Sequence, residues 1–110
     1  MKSEIQEITS KIKEFRDKRD WAKFHDPKNL SISLNVESSE LLELFLWKEH
    51  EEVDPQKIKR ELADVLYSAL LLADFYRFDV KDIILEKLAE NEAKYPLDIF
   101  KGSNKKYDEV

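Results

Sequence analysis

Glu37 and Glu40, and again Glu61 and Asp64, stand three residues apart in the chain. On a helix that spacing makes the members of each pair neighbours on one face. At about 100° per residue, the arc holding Glu37 and Glu40 also holds Leu41, Leu44 and, on its flank, Trp47. The arc holding Glu61 and Asp64 also holds Ser68, Leu71 and Phe75. Both acidic pairs therefore point toward the apolar side of their helices. Asp64 is the single charge between Leu62 and Ala73, within "RELADVLYSALLL", and burying an unpaired carboxylate is costly. Residues 41 to 60 separate the pairs, so an antiparallel hairpin would bring up to four carboxylates together. Like charges gathered in a poorly solvated place repel and raise one another's pKa. Shared protons or a hard cation relieve them. All-oxygen ligands suit Mg²⁺, with Mn²⁺ as a substitute, rather than the N/S chemistry of zinc. Mg²⁺ keeps several waters and is commonly shared with substrate phosphates, so the cluster implies a polyphosphate substrate. On this reading Glu37, Glu40, Glu61 and Asp64 are metal ligands. The competing reading is a pair of solvated helix edges, since both spacings are common on ordinary helices; the joint occurrence on the two most apolar helices raises the site to equal standing with it.

The elements that must position these pairs are helices. The chain has 110 residues, one Gly, three Pro and no Cys, enough for one domain with sparse punctuation and long elements between. Charged residues make 39% and hydrophobic residues 42%, a helical rather than a disordered balance. The net charge of −5 argues against a nucleic-acid groove. No disulfide is possible, the charged "MKSEIQEITSK" is not a signal peptide, and no apolar run approaches the ~20 residues of a membrane span. A cytoplasmic location follows as the expectation. Ser3 caps a first helix whose stripe is Ile5, Ile8, Ile12 and Phe15, ending near Arg19. "DWAKFHDPKN" breaks it, with Asp26 and Pro27 as cap and first turn of the next helix. The second helix spans about Asn29 to Lys48, with a bend expected among Asn35, Ser38 and Ser39. A third covers about Gln56 to Tyr76. Asp79 caps a fourth, which Pro96 stops after Tyr95. Residues 97–110 read as an extended tail behind a helical core of 1–96. The expectation is a single all-α domain, an antiparallel bundle of about four helices. From Leu62 to Ala73 apolar residues face nearly every direction, so the third helix should be shared between copies in a homo-oligomer.

"ESSELLELFLW" followed by "ELADVLY" resembles the E-x-x-E … E-x-x-D signature of the all-α nucleoside triphosphate pyrophosphatases, the superfamily of MazG and the dimeric dUTPases. "RDWAKFHDPKNL", "ELLELFLWK", "KLAENEAKYP" and "SNKKYDEV" are similar in order and spacing to its dCTP pyrophosphatase branch, over about residues 15 to 110. The resemblance implies Mg²⁺ held by Glu37, Glu40, Glu61 and Asp64, with Glu37 or Glu40 orienting or deprotonating the water. It implies a nucleoside pocket lined by Trp21, His25 and Trp47. Lys87, Asn91 and Lys94 match a K-x3-N-x2-[KR] pattern that grips phosphates, and they fall on one helix face at i, i+4 and i+7.

The reaction implied is cleavage between the α- and β-phosphates, giving a monophosphate and pyrophosphate. The implied substrate is dCTP or a modified dCTP, the role nucleotide-pool cleansing, and the assembly a tetramer of paired dimers rather than a dimer. Ile12 and Ser68 stand where the branch often carries His and Tyr, which bears on base preference. The other reading is a non-catalytic helical module whose acidic faces serve solubility or partner contacts.

Overall fold

The computed structural model describes residues 1–109. Among them every regular element is helical, as expected. The chain divides into two compact units, Met1–Arg77 and the segment from Phe78 onward.

The first unit holds α1 (Glu4–Asp17), α2 (Pro27–Glu43) and α3 (Pro55–Phe75), with 3₁₀ turns at Ala22–Phe24 and His50–Glu52. Each helix starts on a residue suited to it. The Ser3 hydroxyl accepts the Gln6 backbone N–H while the Gln6 side chain accepts the Ser3 N–H, a reciprocal box. Asp26 accepts the Asn29 N–H at 2.7 Å and Asp54 accepts the Gln56 N–H at 3.0 Å, each followed by proline at the first helical position.

Two expectations change here. The helical span of α2 is continuous through Asn35, Ser38 and Ser39, where the two serine hydroxyls donate back to the carbonyls of Leu34 and Asn35. It also ends at Glu43 rather than near Lys48, since Leu44–Lys48 close in tighter turns and Trp47 takes a left-handed backbone, φ 64°. α1 likewise stops at Asp17, and Asp20 turns the chain with φ 54°, a conformation Asp tolerates better than most residues.

α3 is the central helix of this unit. α2 packs along it, and α1 packs on it through the Lys13–Asp74 ion pair at 3.3 Å. Leu30 of α2, Leu71 and Ala73 of α3 and Val53 of the connection are the buried hydrophobic residues. Ile32, Val36, Leu62 and Leu66 remain about half exposed in the single chain, so the pair α2–α3 carries more apolar surface than one copy covers.

The second unit holds α4 (Val80–Lys94), α5 (Leu97–Phe100) and a 3₁₀ turn at Tyr107–Glu109. Asp79 caps α4 through the Asp82 N–H at 3.0 Å. The segment after Pro96 is not extended, contrary to expectation. Phe100 meets Tyr95 edge-on at 4.9 Å and Tyr107 meets the same ring at 6.3 Å, and such edge contacts fold the segment back onto the end of α4. No helix among the described residues is long and apolar enough to cross a membrane.

Asp26→Ala removes the α2 cap and is expected to lower stability by about 1 kcal/mol. Thermal denaturation checks this, and an unchanged midpoint would show that Pro27 alone holds the start of the helix.

Candidate active site

The hairpin of α2 and α3 closes on its acidic residues. Glu37, Glu61 and Asp64 each place a carboxylate oxygen so that all three lie within 4.8 Å of one another. Glu40, exposed beside them, is within hydrogen-bonding reach of both Glu37 and Glu61. Glu37 feels Glu40, Asp64 and Glu61, and Glu61 feels Glu40, Asp64 and Glu43. The sequence expectation that four carboxylates converge here thus has its counterpart in a tight set of three with Glu40 at its rim.

The cluster is uncomfortable without a cation. Burial, then the charges of Glu40 and its neighbours, push the Glu37 carboxyl above its ordinary value, and the same causes raise Glu61. One oxygen of Glu37 and one of Glu61 are buried with no hydrogen-bond partner. Buried acceptors are normally paired, so these two are open for a ligand that brings positive charge. The donor set, all carboxylate oxygen, fits a hard divalent cation.

The residues expected to line the nucleoside pocket lie in the same unit. Trp21 follows α1 and is partly exposed, its ring edge-on to Phe15 at 5.8 Å. His25 ends the 3₁₀ turn; burial and the Arg16 charge push its pKa down, and its Nδ1 is buried without a partner. Trp47 is 99% exposed. A left-handed backbone at a bulky residue costs roughly 1–3 kcal/mol, and full exposure of an indole adds to that expense, so this Trp is poorly explained by packing.

Lys87, Asn91 and Lys94 share one face of the unbroken α4. Lys87 pairs with Glu90 at 2.9 Å and Lys94 lies over the Tyr107 ring at 5.2 Å; α4 belongs to the second unit.

Two further residues near the site escape a reading by motif. Arg16 and Tyr67 are electrostatically coupled across α1 and α3. The available signal was Arg16 itself, a charge one turn after Ile12 on the helix's apolar stripe.

The MazG-like family model matches residues 32–110. The dCTP pyrophosphatase 1 of Bos taurus is 36% identical over 114 residues, covering 96% of this chain and 68% of the relative. That of Homo sapiens is also 36% identical, covering 96% of this chain and 67% of its own length. A crystal structure of a pyrophosphatase from Archaeoglobus fulgidus superposes with a TM-score of 0.82 at 36% identity, covering 87% of this chain and 95% of that one. This chain belongs to the MazG-like family. The matched span of this MazG-like chain contains Glu37, Glu40, Glu61 and Asp64 together with the α4 stripe.

The raised carboxyls have a thermodynamic consequence. Glu37 and Glu61 bind protons more tightly in the fold than the ordinary carboxyl of pKa 4.5 does. Their contribution therefore favours the fold on the acid side and is lost as pH rises through the raised native values. Metal-free protein should lose stability over that rise, and MgCl₂ should raise the melting temperature more at pH 7.5 than at pH 5. Glu61→Gln should melt higher than wild type in EDTA at pH 7.5 and gain little from MgCl₂. Melting curves with and without Mg²⁺ check this; equal Mg²⁺ gains at both pH values would contradict it.

Proposed function

We propose that this protein is a Mg²⁺-dependent nucleoside triphosphate pyrophosphohydrolase that favours dCTP or a modified dCTP and cleanses the nucleotide pool. The chain is a dCTP diphosphatase-like hydrolase, as its relatives are by name. The observation carrying the reading is the three-carboxylate cluster with two buried, unpartnered oxygens. Glu37, Glu61 and Asp64 would hold Mg²⁺, with Glu40 completing the set. Bound there, Mg²⁺ supplies charge neutralisation for a triphosphate and acidifies a water.

The protein's own groups supply the rest. Glu37 and Glu40 are the candidates to orient the attacking water and take its proton; the raised carboxyl of Glu37 makes it the better base near neutral pH. Water adds to phosphorus, the bridging bond between the α- and β-phosphates breaks, and dCTP plus water gives dCMP plus pyrophosphate. The α4 stripe of Lys87, Asn91 and Lys94 offers two ammonium groups and an amide in a row, a complement to a row of phosphates. Trp21, His25 and Trp47 would receive the nucleoside, the indoles as stacking surfaces.

The half-exposed apolar side chains of α2 and α3 support assembly into a homo-oligomer, with a tetramer built from two dimers favoured. A cytoplasmic nucleotide pool is the setting proposed.

Incubation with dCTP and MgCl₂ should release dCMP and pyrophosphate. Asp64→Asn should lower turnover about 10³-fold, the loss of several kcal/mol of charge stabilisation, while the circular dichroism spectrum stays helical. Normal turnover in that variant would remove Asp64 from the mechanism. Trp47→Ala should raise KM for dCTP about tenfold with kcat nearly unchanged, since base stacking contributes ~1–3 kcal/mol. An unchanged KM would make the indole a bystander to the base.

A further inference from the structure

Arg16 is turned inward: its side chain is 15% exposed, against 65% for Glu14 on the same helix. Asp17 Oδ1 accepts from its Nε and lies 2.9 Å from its Nη2, which holds one edge of the guanidinium. The Nη1 donors have no hydrogen-bond partner among the described residues. The Arg16 carbonyl accepts the backbone N–H of Trp21 at 3.1 Å, and the turn continues as Phe24 and His25 donate to the carbonyls of Trp21 and Ala22. The chain therefore ties Arg16, Trp21 and His25 into one connected corner. Across from that corner on α3 stands Tyr67, part-buried and one turn beyond Asp64. The Arg16 charge acts on both Tyr67 and His25, and Tyr67 stands one helical turn along α3 from Asp64.

We infer that Arg16 is the base-selecting residue, donating from its free guanidinium edge to the adjacent O2 and N3 acceptors of cytosine. This rests on the nucleotide reading above: with phosphates held through a cation at Glu37, Glu61 and Asp64, the nucleoside end would extend toward the corner of Arg16, Trp21 and His25. A guanidinium only donates, and its planar fork suits two acceptors side by side. Cytosine presents O2 and N3 as such a pair. Uracil and thymine carry a hydrogen on N3, which opposes donor to donor. Adenine has one acceptor, N1, on the corresponding edge. Guanine offers an acceptor pair only at O6 and N7. The neutral His25 beside the fork adds no competing charge, and the Asp17 carboxylate, half exposed, fixes the fork's direction while leaving Nη1 open.

The test compares dCTP with 3-deaza-dCTP, whose N3 is replaced by C–H, on the full-length wild type and on Arg16→Ala and Arg16→Lys. For wild type, kcat/KM should fall about 10–100-fold on 3-deaza-dCTP, the range for a hydrogen bond to a charged group. Arg16→Ala should lose a similar factor on dCTP, mainly in KM, and no longer distinguish the two substrates. Arg16→Lys keeps the positive charge and loses the fork, so it should also lose the discrimination; it decides the matter where Arg16→Ala fails to fold. Equal use of both substrates by wild type, or variants that keep the wild-type ratio, would overturn the inference. A wild type that hydrolyses no nucleoside triphosphate would instead overturn the nucleotide reading itself.

Discussion

The mutual repulsion of carboxylates held between two packed helices is the constraint on which the molecule's organisation turns. Glu37, Glu61 and Asp64 are kept within 4.8 Å of one another by helices whose apolar faces have reasons of their own to associate. Burial weakens the water that would screen these charges, and the raised Glu37 and Glu61 carboxyls register the consequence. The arrangement is destabilising by itself and useful only with something positive between the oxygens. That trade is common at sites where chemistry rather than stability has shaped the side chains.

Holding such a cluster requires stiff supports, and the chain supplies them locally. Side-chain caps fix the starts of α1, α2, α3 and α4. The serine hydroxyls of α2 bond within their own helix, whose span from Pro27 to Glu43 is continuous and carries Glu37. α3 packs against both other helices of its unit, and its register on α1 is marked where Lys13 meets Asp74 and Arg16 acts on Tyr67. The same helix thus carries the acidic pair and, one turn on, Tyr67, on which the Arg16 charge acts. Metal chemistry and base recognition can share one rigid element, which fixes the distance between them.

Much of this was legible in the sequence because the signals are local. A cap needs only a residue and its neighbours three positions on, and an acidic pair at i, i+3 declares its common face. The caps of α1, α2 and α4 and the common face of each acidic pair followed from those rules, whereas the Asp54 cap of α3, hidden in a polar stretch that reads as a connection, did not. The end of α2 did not, because it depends on Trp47 adopting a left-handed backbone that no propensity favours for an indole. The fold of the segment after Pro96 did not either, because Phe100 and Tyr107 return to Tyr95 through edge contacts that periodicity does not encode. Arg16 looked like one more basic residue on a charged helix. Its meaning needs the α1–α3 register, a non-local fact, although its place on the apolar stripe was a hint.

The most direct measurement is a crystal structure of the protein grown with MnCl₂ and recorded at a wavelength where manganese scatters anomalously. An anomalous peak is expected between α2 and α3, coordinated by oxygens of Glu37, Glu61 and Asp64. Manganese bound only elsewhere, with those three carboxylates bonded to protons or to protein donors, would contradict it.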